Sequence, residues 1–123
     1  VVELPQEMRI EIHASLQCEL TEWSGTNLKP TYVYGIRTYH RGAILKPHRD
    51  RLDTDIISAI INVDQKTNKP WPLIIEDNYY RAHHVYLRPG EVVYYEGARL
   101  THGRPEAFDG KWFANIFCHY IPV

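Results

Sequence analysis

The chain has little cysteine: Cys18 and Cys118 are the only two in 123 residues. That is too few for a disulfide scaffold, and with no Cys-x-x-Cys pair it excludes a zinc ribbon. There is no surplus of basic charge, since 14 Lys and Arg stand against 15 Asp and Glu for a formal net charge of −1. A general binder of nucleic acid or of membrane surfaces would carry a basic excess. No apolar run approaches the ~20 residues of a membrane-crossing helix. Phosphate-binding glycine loops, a Gly-x-Ser-x-Gly elbow and a dinucleotide fingerprint are all missing, which removes nucleotide and serine-hydrolase chemistry. Val1 to Pro5 is not the basic-then-apolar start of a secretory signal, so a soluble protein is expected, with the cytoplasm favoured.

What is present is a 44% hydrophobic composition, enough for a folded core. The length suits one domain over residues 1–123. Seven His, nine Tyr and three Trp are many for so short a chain and make a functional site plausible. Pro5 can open a helix, and Met8, Ile12, Leu16 and Leu20 follow at fourfold spacing until Ser24-Gly25-Thr26-Asn27, which predicts a helix over about 5–24. From Pro30 the period changes. Thr31–Tyr39, Asp55–Val63, Trp71–Glu76, His83–Leu87, Val92–Glu96 and Trp112–Tyr120 read as strands. Asp55–Val63 is almost wholly apolar, as in a strand buried on both faces. Arg88-Pro89-Gly90-Glu91 reads as a turn. The expected fold is mainly β with an N-terminal helix, a barrel or jelly roll with its core over about 31–121. Cys18 and Cys118 read as small buried hydrophobes. The pairs His83-His84 and Tyr79-Tyr80 read as sheet and hairpin residues.

The sharpest chemical feature is Pro47-His48-Arg49-Asp50. On an extended segment His48 and Asp50 point to the same side. A second histidine from elsewhere would complete a 2-His-1-carboxylate triad, which leaves positions open on Fe(II) for a co-substrate and O2. His102 lies downstream, after the Gly90-Glu91 turn and the strand that follows it. Gly110-Lys111-Trp112 opens the last strand, where a lysine can act as a point charge for a distal carboxylate. Arg104, two residues past His102, is a candidate contact for co-substrate or substrate.

In order and spacing, Tyr39-His40-Arg41-Gly42, Pro47-His48-Arg49-Asp50, Gly90-Glu91, His102 and Gly110-Lys111-Trp112 resemble the prolyl 4-hydroxylase-like branch of the Fe(II)/2-oxoglutarate-dependent dioxygenases. The resemblance spans roughly residues 36 to 120. It implies a double-stranded β-helix with Fe(II) and 2-oxoglutarate as cofactors, ascorbate as an accompanying reductant, and O2 as partner. It implies His48, Asp50 and His102 as metal ligands and Lys111 on the C5 carboxylate of 2-oxoglutarate. Tyr39 would assist that binding, and His119 matches a position near the site in some relatives. The implied reaction is hydroxylation of an unactivated C–H in a prolyl peptide or a small molecule.

The chain also departs from the family. Leu45 stands where a second tyrosine is usual, Asp55 where peptide-hydroxylating relatives often have arginine, and Lys69-Pro70-Trp71-Pro72-Leu73 replaces a Gly-Gly-Glu-Thr segment. These departures leave the triad intact. A catalytically idle jelly-roll binding module and a cupin-like metalloenzyme without 2-oxoglutarate are the alternatives.

Overall fold

The computed structural model describes residues 1–123. Its single helix, α1, runs Gln6–Ser24. Pro5 caps it with φ −55°, and Gly25 ends it in the left-handed region at φ +74°, its N–H donating to the Thr21 carbonyl at 3.0 Å. A residue with a Cβ would be strained there, which is why the helix stops where glycine appears. No helix is long and apolar enough to cross a membrane.

Nine strands follow: β1 Leu28–Val33, β2 Arg37–His40, β3 Leu45–His48, β4 Ile57–Thr67, β5 Leu73–Glu76, β6 Ala82–Val85, β7 Val92–Tyr95, β8 His102–Arg104 and β9 Gly110–Pro122. One antiparallel sheet has the order β1-β9-β4-β7, with β2 also on β9, and the other has the order β3-β8-β5-β6. From β2 to β9 the chain passes back and forth between the two sheets. It winds as a double-stranded β-helix, a jelly roll. The expected fold class is therefore observed. The single strand expected over Thr31–Tyr39 is two strands, because Tyr34-Gly35-Ile36 leaves the ladder and Ile36 bridges to Val2 instead. Gly35 is required there, since a Cβ would lie 2.6 Å from the Val2 carbonyl carbon.

The inside–outside alternation of β9 organises the interior. Its even-numbered residues Ile116, Cys118 and Tyr120 join Ile57 and Ala59 of β4 and Leu20 of α1 in a core outside the first sheet. Its odd-numbered residues face the second sheet, where Phe113 packs with Tyr39, Trp71 and Phe108. Ile60, Leu73, Ile75 and Tyr95 fill the space beside them. The helix covers one face of β4 and the opposite sheet covers the other, which explains its apolar run. Beyond Asn62, where β4 outruns the helix, Val63 and Asp64 are exposed.

Two packing expectations fail. Cys18 is exposed on α1, because the buried stripe of the helix runs through Ile12, Leu16 and Leu20 and leaves it outside. Tyr79 and Tyr80 are exposed at the turn that leads into β6, not packed in a sheet. His83 meets only Asp77 on the surface, its Nε2 2.9 Å from Oδ2.

Candidate metal centre

Strands β3 and β8 pair with His48 opposite His102, so the register sets two imidazoles side by side, ring centroids 4.6 Å apart. The chain leaves β3 after His48. The Asp50 N–H then donates to the Gly97 carbonyl at 2.8 Å, which pins the carboxylate under the rings. Oδ1 of Asp50 lies 3.2 Å from Nε2 of His48 and 3.3 Å from Nε2 of His102. Each imidazole turns its other nitrogen to a carbonyl: Nδ1 of His48 to Lys46 O at 2.7 Å, and Nδ1 of His102 to Leu100 O at 2.9 Å. A carbonyl only accepts, so each Nδ1 carries the hydrogen, and in the neutral tautomer each Nε2 presents a lone pair. Two nitrogen lone pairs and a carboxylate oxygen then converge on one point. They repel unless a proton or a cation lies between them. Burial pushes the Asp50 carboxyl up, but His102, with His119 and His48 adding to it, outweighs burial and holds the carboxyl below its ordinary value. The three ligand atoms lie within 4.8 Å of one another. This donor set suits a divalent transition metal with open positions, and the carbonyl-bound Nδ1 groups are the outer partners such ligands normally have.

The triad opens into a cavity of about 240 Å³, lined among others by Tyr34, Arg37, Leu45, Leu73, Tyr95 and Arg104. Arg104 follows His102 on β8, so its side chain projects from the same face about 6.6 Å further down the strand. It is only 2% exposed. Its guanidinium donates to the Trp71 carbonyl at 2.7 Å and to Oδ1 of Asn115 at 3.1 Å. It lies against two rings, Cζ 4.8 Å from the centroid of Trp71 and 4.9 Å from that of Phe113. No carboxylate pairs with it. Burial pushes its pKa down to about 10, while Tyr39 and Tyr95 act in the other direction. A buried cation with only neutral partners is costly, and an incoming anion would relieve that cost. The Tyr39 hydroxyl, within electrostatic reach of Arg104, is buried with no hydrogen-bond partner.

Lys111 lies elsewhere. It is exposed on β9, beside the Gly110–Thr67 pairing, and does not line the cavity. The expectation that Lys111 meets the distal carboxylate of 2-oxoglutarate does not fit this structure. β9 runs antiparallel to β4 for ten paired positions, which puts its first residues at the Thr67 end of β4, away from the Ser58 end where His119 lines the cavity. Arg104 is the buried cation of the cavity. The other expected residues come together: His48, Asp50, His102, Arg104 and His119 all line the cavity. Tyr39 stands just behind it, packed on Trp71 at 5.1 Å between ring centroids. Leu45, in place of the usual tyrosine, lines the wall.

Sequence reasoning missed a buried polar cluster next to the triad. Nδ1 of His119 is 2.7 Å from Oγ of Ser58 and 3.7 Å from Oδ1 of Asp55, and Thr54 Oγ1 donates to that same oxygen at 2.8 Å. Burial pushes the His119 imidazole down, with Asp55 opposing. Burial likewise pushes the Tyr95 phenol well up, with Asp50 adding to it. The Tyr95 ring packs edge-on against His102 at 4.8 Å. Gly97 was missed as well. A Cβ there would collide with Oδ2 of Asp50 and lie 2.8 Å from Oγ of Ser58. A polar residue such as Ser58 or Asp55 inside an apolar strand pattern was the available signal.

No protein-family model matches this sequence, and no curated protein matches it. Solved structures do match in fold. AviO1 from Streptomyces viridochromogenes Tue57 superposes with TM-score 0.67 at 20% identity, over 85% of this chain and 56% of that one. A Pseudomonas putida prolyl-4-hydroxylase gives 0.67 at 16% identity, over 89% of this chain and 62% of the other. The non-heme monooxygenase ThoJ, in a nickel complex, gives 0.67 at 18%, over 93% and 52%. The chain thus spans little more than half of these proteins, and the likeness is one of fold.

Proposed function

We propose that this chain is the core of an Fe(II)- and 2-oxoglutarate-dependent oxygenase that hydroxylates an unactivated C–H. The observation that carries this reading is the buried Arg104, a cation without a counter-anion, one strand step below three converging metal-ligand atoms. A metal chelator with a second carboxylate at its far end would answer both features, and 2-oxoglutarate is such a molecule. The fold shared with an oxygenase and a hydroxylase adds to the reading.

His48, Asp50 and His102 would hold the iron, their Nδ1–carbonyl bonds keeping the Nε2 lone pairs aimed at it. Bound there, Fe(II) with its co-substrate supplies the activation of O2 and the oxidation of the C–H bond. The balance is R–H + O2 + 2-oxoglutarate → R–OH + succinate + CO2, with two electrons from the oxidative decarboxylation and two from the C–H bond. Arg104 would neutralise the distal carboxylate and fix the co-substrate's depth as a charge-assisted pair. That guanidinium packs against the Trp71 and Phe113 rings and is bonded to Trp71 O and Asn115 Oδ1, so it is ordered before the anion arrives. Leu45, Leu73 and Ile60 keep the cavity wall apolar, which strengthens the charge pairing by excluding water.

The test is succinate release that requires both Fe(II) and 2-oxoglutarate, coupled to an acceptor or uncoupled. His48→Ala, Asp50→Ala and His102→Ala should each abolish it along with Mn2+ binding. Tight metal binding with no 2-oxoglutarate turnover would overturn the reading in favour of a cupin-like metalloenzyme. Absence of both metal binding and turnover would favour a binding module.

A further inference from the structure

The cavity holds a second cation that the co-substrate reading leaves without a task. Arg37 of β2 faces inward beside Tyr39, and its guanidinium lies over the Phe117 ring, 5.5 Å from the centroid. Like Arg104 it lines the cavity, but it does so from the exposed side, where β2 and β3 do not pair. It forms no ion pair, although Asp50 and Asp55 line the same space, because both of those carboxylates are engaged by His48, His102, His119 and Thr54. Arg37 is therefore an unpaired cation at the exposed side of the cavity, in a chain whose net charge is −1. An unpaired cation at the exposed side of a cavity attracts a ligand of the opposite sign.

Depth narrows the ligand further. Phe117 and His119 both face inward on β9, about 6.6 Å apart along the strand. His119 is at the level of the triad, since one of its ring nitrogens lies within 4.8 Å of an Asp50 carboxylate oxygen. The Arg37 guanidinium, over Phe117, thus lies about one strand step from the metal ligands. An anionic group held there leaves room for only a few carbon–carbon bonds before the reacting carbon meets the metal. The ~240 Å³ cavity also falls below the ~300 Å³ lower end for drug-sized ligands.

Resting on the oxygenase reading, we propose that Arg37 anchors the substrate, and that the substrate is a small free carboxylic acid of the amino-acid class. Arg104 and Arg37 then divide the work by burial, Arg104 being enclosed and Arg37 exposed. The buried cation takes the far end of the co-substrate, and the rim cation takes the carboxylate of the substrate.

The experiment has two arms. In the first, 2-oxoglutarate is titrated calorimetrically into Mn2+-loaded wild type and Arg37→Met, with equal affinity within about twofold expected for a rim cation. In the second, succinate release by the Fe(II) protein is measured with the common L-amino acids and with the corresponding amides. At least one acid should stimulate release and its amide should not. Arg37→Met should raise the KM for that acid by about tenfold or more with kcat little changed, and Arg37→Lys should recover part of the loss. Equal stimulation by acid and amide, or stimulation by none, overturns the proposal. Weakened 2-oxoglutarate binding in Arg37→Met also overturns it, and moves Arg37 to the co-substrate. Failure of the wild type to bind 2-oxoglutarate in the first arm overturns the oxygenase reading itself, a result distinct from those of the second arm.

Discussion

Removing the charge of Arg104 separates its role in binding from its role in folding. Burial pushes the guanidinium down to about 10 from 12.5. At ~1.4 kcal/mol per tenfold, the folded protein gives up about 3 kcal/mol to keep it charged. Its present partners are a carbonyl, an amide oxygen and two rings, none of them charged. Arg104→Met keeps much of the side-chain volume between Trp71 and Phe113 and removes that penalty together with the two hydrogen bonds. The ligand-free protein should therefore change little in stability. Ligand binding should change a great deal, because deleting one member of a buried charge pair costs about 3–5 kcal/mol, or roughly two to four orders of magnitude in affinity. The assay is thermal unfolding of the Mn2+-loaded protein with and without 2-oxoglutarate. At a concentration a hundred times the dissociation constant, a ligand stabilises the native state by about 2.7 kcal/mol, or roughly 10 °C in Tm for a domain of this size. That increment should be present in wild type, almost absent in Arg104→Met, and intact in Lys111→Met. An increment that survives in Arg104→Met and disappears in Lys111→Met would refute the reasoning and place Lys111 at the co-substrate.

Three further outcomes are expected. Gly97→Ala should displace the end of the Asp50 side chain and leave the fold standing, because its Cβ meets the Asp50 carboxylate and Ser58 Oγ most closely, while the nearest backbone atom, the Asp55 carbonyl oxygen at 3.2 Å, has to give by only a few tenths of an ångström. Mn2+ affinity, followed by electron paramagnetic resonance titration, should fall about 10- to 100-fold, whereas unchanged affinity would show that Gly97 does not position Asp50. By contrast Gly42→Ala, where φ is +85° and nothing lies within 4 Å of a Cβ, should lower Tm by the strain of ~1 kcal/mol and leave metal binding untouched. Stability of the metal-free protein should fall on acidification from about pH 7.5 to 5.5. Burial holds His13 and His119 below the ordinary histidine value, so the unfolded chain binds more protons there. Their contribution is full above ~6.5 and is lost as pH drops below it. A Tm that rises over this window would contradict that assignment, and His13→Gln should flatten the dependence.

Much of the architecture was legible in the residues. The 19-residue helix lies over Gln6–Ser24 because glycine alone tolerates the dihedrals that end it. The apolar run of β4 correctly announced burial on both faces. The His48–Asp50 spacing announced that the two side chains meet, although the strand ends at His48 and the Asp50 N–H bond to the Gly97 carbonyl, not strand alternation, places the carboxylate. The exposed positions of Lys111 and Cys18 were not legible for one common reason. Their neighbourhoods depend on how far a strand or a helix stripe extends in space, and local pattern does not report that.

The sequence by itself determined the element types, the two-residue spacing of His48 and Asp50, and a near-neutral chain with chemistry concentrated in histidine and tyrosine. These follow from local dihedral preference, side-chain period and composition. Only the tertiary structure decided which cation lies at depth, that Gly97 makes room for the Asp50 carboxylate, and that Asp55, Ser58 and His119 cluster beside the metal ligands. Each of those depends on register between strands distant in sequence. Register is set by the packing of two whole sheets and by no single stretch of chain.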